Sequence, residues 1–346
     1  MPCNYVPILK AKEGELIALR NLTPKTKSNL MPLIELQPKD RPELFGRTLT
    51  QIRKGWPSEL PFLLDVDKDY LIDATASATD ALHSVSLELV TTGFLVVPVT
   101  GLRRPVLFND MISDTISEIG TGICIRLQSP DWQDVSSLED RISDYVQSLS
   151  LDLSQVDLVF DYESFLPSHL GTIITSAVTA ISTITNVIDY RNLIIAATAF
   201  PSQPISQPYT IYRFPRSEFE AWSILVSLPD IRRKPIFGDY TTVYPVLPDI
   251  DFRYGIKVAP KIKYTTESEW LCLRWDAGDF ANFRNVCNEL VGLPEFCGSD
   301  YSWGDSRVDQ CATTGGRTGN PREWVSIGVN HHLTLAATQC ASHPAS

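Results

Sequence analysis

Tyr5-Val-Pro-Ile-Leu-Lys10-Ala-Lys-Glu-Gly-Glu15 is a short apolar run that ends on a cation and passes through a polar turn into an amphipathic segment. Seven later stretches repeat this order. They are Met31-Pro-Leu-Ile-Glu-Leu36, Pro61-Phe-Leu-Leu-Asp-Val66, Phe94-Leu-Val-Val-Pro-Val99, Gly122-Ile-Cys-Ile-Arg-Leu127, Val156-Asp-Leu-Val-Phe-Asp161, Leu193-Ile-Ile-Ala-Ala-Thr198 and Pro235-Ile-Phe-Gly-Asp-Tyr240. The runs do not alternate apolar with polar residues. Continuous apolarity is how strands read when both faces of a parallel sheet are covered.

The starts of these runs lie 26 to 42 residues apart, the length of a strand, a crossover helix and two turns. Between them, 14–22 carries Leu16, Leu19 and Leu22 on one helical face, 138–149 carries Ile142, Tyr145 and Leu149, and 214–228 carries Phe219, Trp222 and Leu225. Ser136 with Glu139 fits a capping box at the start of the second of these. Segment 165–187 is rich in Ile, Thr and Ser and is assigned helix from its place in the series. Eight strand–helix units point to an α/β (β/α)8 TIM-like barrel over 1–248. A doubly wound open sheet is the rival, but it has fewer strands and often a Gly-rich first turn, and the first turn here is Lys-Ala-Lys-Glu-Gly-Glu.

Beyond residue 245 the pattern changes. Segments 253–264 and 269–275 read as a hairpin and 280–290 as a helix. A Gly/Thr-rich loop at 313–320 is followed by an alternating, strand-like run at 324–335 and a frayed tail over the last ten residues. Residues 249–346 are therefore expected to form an α+β extension over the barrel mouth, with Trp303, Trp324 and the Gly-rich loop either as its lid or as a plug of the barrel end.

The chain has 346 residues, 43% apolar and 21% charged, with 30 basic against 41 acidic residues and a net charge of −11. A field of that sign repels polyanions, so bulk nucleic-acid binding is not expected. The seven cysteines contain no C-x-x-C pair, which argues for reduced thiols rather than a disulfide scaffold or zinc ribbon. There is no apolar run near the ~18 residues of a membrane span and no basic-then-apolar leader, so a cytoplasmic protein without membrane partners is expected.

Active sites of such barrels lie at the C-terminal ends of the strands. Those ends carry Lys10 and Lys12, Glu35, Asp65 and Asp67, Thr100, Arg126, Asp161 and Glu163, Thr198, and Asp239. Asp65 and Asp67, like Asp161 and Glu163, are two apart and share a face of their strand. This composition suits a metal-assisted hydrolase of a nucleotide or other phosphoester. In that reading Asp65, Asp161 and Asp239 hold Mg2+ or Mn2+, Glu35 or Glu163 is the base, and Lys10 with Arg126 steadies an anionic substrate. A carboxylate pair acting as a glycosidase and a salt-bridged seal without chemistry are the competing readings. His331 and His332 on a strand point to opposite faces, so only one of them can join the rim. No P-loop, H-E-x-x-H or G-x-S-x-G pattern occurs.

The opening motif, together with Pro32-Leu-Ile-Glu35, Phe237-Gly-Asp-Tyr240, Ser302-Trp-Gly-Asp305, Gly319-Asn-Pro, Trp324 and Asn330-His-His-Leu-Thr334, resembles the beta family proteins encoded by bacteriophages and bacterial mobile regions. The resemblance spans nearly the whole chain. It implies a mobile-element origin and brings no established activity. It groups Lys10, Glu35, Asp239, Asp305 and His332 in one site. Lys12, Trp303, Asp305 and His332 are the residues expected to bind substrate there. An origin in phage–host conflict equally implies a non-catalytic protein that binds a host partner in defence or counter-defence.

Overall fold

The computed structural model describes residues 3–38, 45–132, 134–202, 207–245, 261–275, 282–313 and 316–343. Its strands are β1 (Tyr5–Lys10), β2 (Leu33–Leu36), β3 (Phe62–Val66), β4 (Val96–Thr100), β5 (Ile123–Gln128), β6 (Val156–Ser164), β7 (Asn192–Thr198), β8 (Thr210–Pro215), β9 (Ile236–Asp239), β10 (Lys261–Thr265) and β11 (Glu269–Arg274). Eight of them close a parallel barrel in the order β1-β2-β3-β4-β5-β6-β7-β9. The seam is the pairing of β1 with β9, which sets Tyr5 opposite Phe237 and Pro7 opposite Asp239. The eight apolar runs are these eight strands.

Alternation along each strand builds two cores. Val6, Ile8, Leu33, Leu63, Val97, Val99, Cys124, Val159, Ile194 and Ala196 fill the barrel. Tyr5, Leu9, Ile34, Phe62, Leu64, Val96, Ile125, Leu158, Phe160 and Ile195 point outward onto the helices. Because neither face meets water, polar residues within the strands are confined to the ends, and that makes the mouth chemistry legible. Gly238 sits where a Cβ would come within 3.0 Å of both Ala196 Cβ and the Val6 carbonyl, so β9 can approach its neighbours closely only without a side chain there.

The eighth barrel strand is not followed directly by its helix. Strands β10 and β11 come between them and pair with β8, which lies between β7 and β9 in the chain, as a three-stranded antiparallel sheet β10-β11-β8; the closing helix is Pro321–Ser342. Val329, Leu333, Ala336, Ala337 and Cys340 of that helix join the outer core beside Tyr5 and Phe237. Asn330 donates to the Ala18 carbonyl at 3.0 Å and accepts from the Gly304 amide at 2.9 Å, tying the helix to its neighbours on both sides. The sheet stands on the loops that leave β7 and β9: Trp270 packs edge-on against Phe200, and Lys263 donates to the Thr242 carbonyl.

Four expectations are corrected. Run 324–335 is helical: Asn320 caps Pro321–Ser342 by accepting from the Glu323 amide, with Pro321 in the first turn. The tail expected to fray is held in that helix as far as Ser342. Phe214 and Pro215 belong to β8, which pairs with β11, and the helix begins at Ser217. Ser136 makes no capping box; its hydroxyl donates to Asp134, and Glu139 accepts from the Thr185 amide. Of the expected hairpin, 253–260 lies outside the described residues, as do 280–281 of the expected helix, 314–315 of the Gly-rich loop and the 248/249 boundary. Among the described residues, no helix is long and apolar enough to cross a membrane. All seven cysteines are free thiols.

Candidate active site at the C-terminal mouth

Strand register brings the charged ends into one layer. Lys10 lies opposite Glu35 and Glu35 opposite Asp65, while Gln128 of β5 lies opposite Asp161. At the centre is Arg126, 7% exposed. Its Nη1 reaches Glu35 Oε1 at 2.7 Å and Asp65 Oδ2 at 2.8 Å. Nε reaches Asp161 Oδ2 at 2.8 Å, and Nη2 reaches that oxygen at 2.7 Å and the Tyr240 hydroxyl at 2.9 Å. All three guanidinium nitrogens are engaged, so the protein itself satisfies this side chain.

A second cation extends the network. Lys10 Nζ stands 2.9 Å from Glu35 Oε2 and 2.7 Å from Asp67 Oδ2, and Gln37 adds a longer bond to Asp67 at 3.4 Å. Arg104 closes the other flank, with Nη2 at 2.9 and 3.0 Å from the two oxygens of Asp65. Burial opposes ionisation of Glu35, yet Arg126 and Lys10 outweigh it and hold its carboxyl below the usual range. Asp67 is likewise kept low against burial by Lys10. Burial and the Asp161 charge push the Tyr240 phenol well above its ordinary value, so it remains a neutral donor, and its proton goes to Asp161 Oδ2 at 2.6 Å.

Glu163 differs from these residues. It lies within the register irregularity of β6 between Asp161 and Ser164, with a φ of 51°, a left-handed backbone that costs a β-carbon-bearing residue on the order of 1 kcal/mol or more. Asp161 Oδ1 holds it there by accepting the Glu163 amide at 2.9 Å. Lys68 and Gln128 both donate to Glu163 Oε1, at 2.7 and 2.9 Å. Its Oε2 has no hydrogen-bond partner among the described residues. The cleft lined by Lys10, Asp67, Lys68, Arg104, Gln128 and Glu163 encloses about 20 Å3, room for about one water molecule.

The structure thus brings together Lys10, Glu35, Asp65, Arg126, Asp161 and Glu163. It does not bring Asp239 to them. Gly238 and Tyr240 take the inward positions of this strand, so Asp239 faces outward. There it accepts from the Tyr5 hydroxyl at 2.6 Å and pairs with His332 Nε2 at 2.8 Å. Asp65 and Asp161 are committed to guanidinium groups and Asp239 is on the other face, so the three aspartates do not form one ligand set. Among the described residues, no group of His, Cys, Asp and Glu converges as a metal site.

Asp305 and His332 are also apart from the mouth and fully buried. His332 stacks on Trp270 at 4.9 Å, and its Nδ1 meets the Thr265 hydroxyl at 3.0 Å. Asp239, His332 and Thr265 have the order of a hydrolase triad, but none is reachable by substrate: each is 0% exposed. Burial lowers the His332 pKa, in keeping with a neutral ring that donates from Nε2. His331, one residue earlier, turns to the sheet, with Nδ1 2.8 Å from Asp305 Oδ2 and Nε2 2.8 Å from the Thr265 carbonyl. Trp303 is half-buried in the first turn of Trp303–Ala312, against the helices of the C-terminal layer. Lys12 is exposed at the cap of Glu13–Arg20.

Sequence reasoning missed Arg104, Lys68, Gln37, Gln128 and Tyr240. Tyr240 was within reach, because inward Tyr240 follows from inward Gly238 by the period of two.

The family described as Beta protein matches residues 5–338. A curated relative, "Protein beta" of Enterobacteria phage P4, is 23% identical over 346 residues, covering 95% of this chain and 92% of the relative. Among solved structures, the biosynthetic arginine decarboxylase of Campylobacter jejuni superposes with a TM-score of 0.39 at 10% identity, over 99% of this chain and 56% of that one. Tryptophan synthase of M. tuberculosis gives 0.29 at 12% identity, over 97% and 92%. Likeness this low adds nothing to the fold, which rests on the topology of the barrel itself. With the family's match running from β1 to the closing helix, the chain belongs to the Beta protein family.

Proposed function

We propose that the mouth is a hydrolytic site for a nucleotide or other phosphoester, with Glu163 as the general base. The observation that carries this reading is the strained backbone at Glu163, which sets a carboxylate oxygen with no partner among the described residues at the edge of a cleft lined by four cations and four carboxylates. Backbone strain of this kind persists where a site over-determines it. Lys68 and Glu163 are 41% and 36% exposed, and an exposed pair is worth about 0–1 kcal/mol. A phosphoryl group can therefore draw Lys68 away cheaply and leave Glu163 free to take a proton from water. Arg104 spends only Nη2 on Asp65, so its remaining N–H groups, with Lys10 and Lys68, suit the phosphoryl oxygens.

Arg126 has a different part in this reading: it organises the carboxylates and does not meet substrate. A divalent ion at Asp65 and Asp161 would have to displace it from a buried network. Thermal unfolding with nucleoside monophosphates and with pyrophosphate tests the proposal, since a ligand of the native state raises the midpoint. A shift present in the wild type and lost in Lys68→Met supports it; no shift with any of them argues against a phosphoester.

A protein partner at the same mouth is the second reading. Ile72, Val106, Leu107 and Leu166, 74%, 77%, 50% and 63% exposed, lie on the segments that leave β3, β4 and β6. Large apolar side chains around a polar cleft favour a macromolecule that seats on the rim, in keeping with a phage-associated family.

A further inference from the structure

Away from the mouth, where β7, the Ser217–Ser227 helix, β11 and the closing helix meet, lies a second buried charge pair. Arg216 and Glu218 have side chains with no exposed surface. Arg216 Nη1 is well used: it donates to the Thr266 carbonyl at 3.0 Å and to Gln339 Oε1 at 2.6 Å. The guanidinium is stacked between Phe219, 4.8 Å from the ring centre, and Trp270, at 5.5 Å. Its other edge is idle. Among the described residues, Nε and Nη2 have no hydrogen-bond partner, and neither has Glu218 Oε1 or the Trp270 indole nitrogen.

Arg216 Nε and Glu218 Oε1 are 3.7 Å apart. That is too long for a direct hydrogen bond and short enough for one oxygen atom to reach both. Nε and Nη2 form the parallel donor edge of the guanidinium, and Glu218 Oε1 offers a lone pair opposite it. Glu218 Oε2 is already anchored by the Ala199 amide at 3.1 Å, so the carboxylate is not free to swing onto the guanidinium. Buried polar atoms left in this way are costly and are rare in folded proteins. Two donors and one acceptor match the 2–4 polar partners that a buried water takes.

We propose that Arg216 and Glu218 bind an internal water molecule that accepts from Nε and Nη2 and donates to Glu218 Oε1. It completes the joint between the barrel and the C-terminal sheet. Burial, helped by the Asp239 charge and opposed by that of Arg216, pushes the Glu218 carboxyl up to about 7, and a bridging water favours the ionised form that this pairing uses. A small anion is the rival occupant, with Glu218 protonated.

A crystal structure at atomic resolution, repeated after a bromide soak, decides between them. The expected result is a peak without anomalous signal at about 2.7–3.2 Å from Nε, Nη2 and Oε1. An anomalous peak at that place would overturn the water, as would direct contact between Nε and Oε1 with no peak. In solution, water-oxygen relaxation should count one long-lived internal water fewer in Glu218→Leu than in the wild type. Glu218→Gln keeps an acceptor and should retain that water, and equal counts in wild type and Glu218→Leu would contradict the site.

Discussion

Asp161 Oδ2 receives both Nε and Nη2 of Arg126, at 2.8 and 2.7 Å, while Oδ1 of the same carboxylate receives the Glu163 amide at 2.9 Å. Arg126 therefore acts on Glu163 at one remove. It fixes Asp161, and Asp161 fixes the left-handed turn that aims Glu163 into the cleft. The buried network supports the more exposed pair above it, Lys68 and Glu163.

Arg126→Met should be among the most damaging substitutions in the chain. It strands Glu35, Asp65 and Asp161 without their shared cation, and removing one partner of a buried charge network costs about 3–5 kcal/mol. Arg126→Lys should recover little of this, because an ammonium cannot supply the planar donor set that reaches four side chains. Urea unfolding measures both; a loss below about 1 kcal/mol for Arg126→Met would contradict the central role.

Glu163→Gly separates strain from structure. The left-handed backbone costs glycine nothing, and that relief roughly offsets glycine's entropy cost of about 0.5–1 kcal/mol. The variant should unfold within about 1 kcal/mol of the wild type yet lose whatever turnover the protein has. A large destabilisation would mean that the Glu163 carboxylate is structural.

The Asp305–His331 pair predicts the opposite pattern. Both partners of His331 are oxygen acceptors, the Asp305 carboxylate and the Thr265 carbonyl, so the ring satisfies them only when it donates from both nitrogens. Asp305→Asn removes the counter-charge and should cost about 3 kcal/mol in thermal or urea unfolding. Nucleotide binding at the mouth should be unchanged at temperatures where the variant is folded; weakened binding there would show that the two regions are coupled.

Glu15 carries a pH dependence with a definite sign. Burial raises its carboxyl to about 8, above the unfolded value, so the folded state holds the proton more tightly. Its contribution to stability is present in full below the unfolded value near 4.5 and is lost as pH rises toward 8, by at most about 1.4 kcal/mol per pH unit. Glu15→Gln should flatten the stability profile across that window. An unchanged slope would rule out Glu15 as its source.

The barrel was legible because every strand is buried on both faces, which left eight apolar runs of similar length and spacing. The mouth was legible for the same reason: a charge such as Glu35, Asp65 or Arg126 can stand in such a strand only where it ends. Facing was lost where it depended on one residue of phase, as at Asp239, which points out between inward Gly238 and Tyr240. The helix at 321–342 was lost to a local ambiguity. Val-Ser-Ile-Gly-Val-Asn alternates like a strand, and the decisive signal lay upstream in Asn320-Pro321, with Glu323 two residues on. Strand β8 was missed, because Thr210–Pro215 lies outside the series of apolar runs and its last two residues were absorbed into the following helix. Arg104 reaches the cleft from a loop and Lys68 from the first turn of the short helix Lys68–Asp73, and no periodicity reports where such a side chain ends.

We propose that Glu163 activates water on a phosphoester at this mouth. The direct measurement is hydrolysis of nucleotides, p-nitrophenyl phosphate and bis-p-nitrophenyl phosphate by the wild type and by Glu163→Gln, with ligand binding followed in parallel. The wild type should turn over at least one of these, and Glu163→Gln should lose about 10²–10⁴-fold of that rate while it retains binding. Turnover undiminished in Glu163→Gln, or neither turnover nor binding of any of them by the wild type, would contradict it.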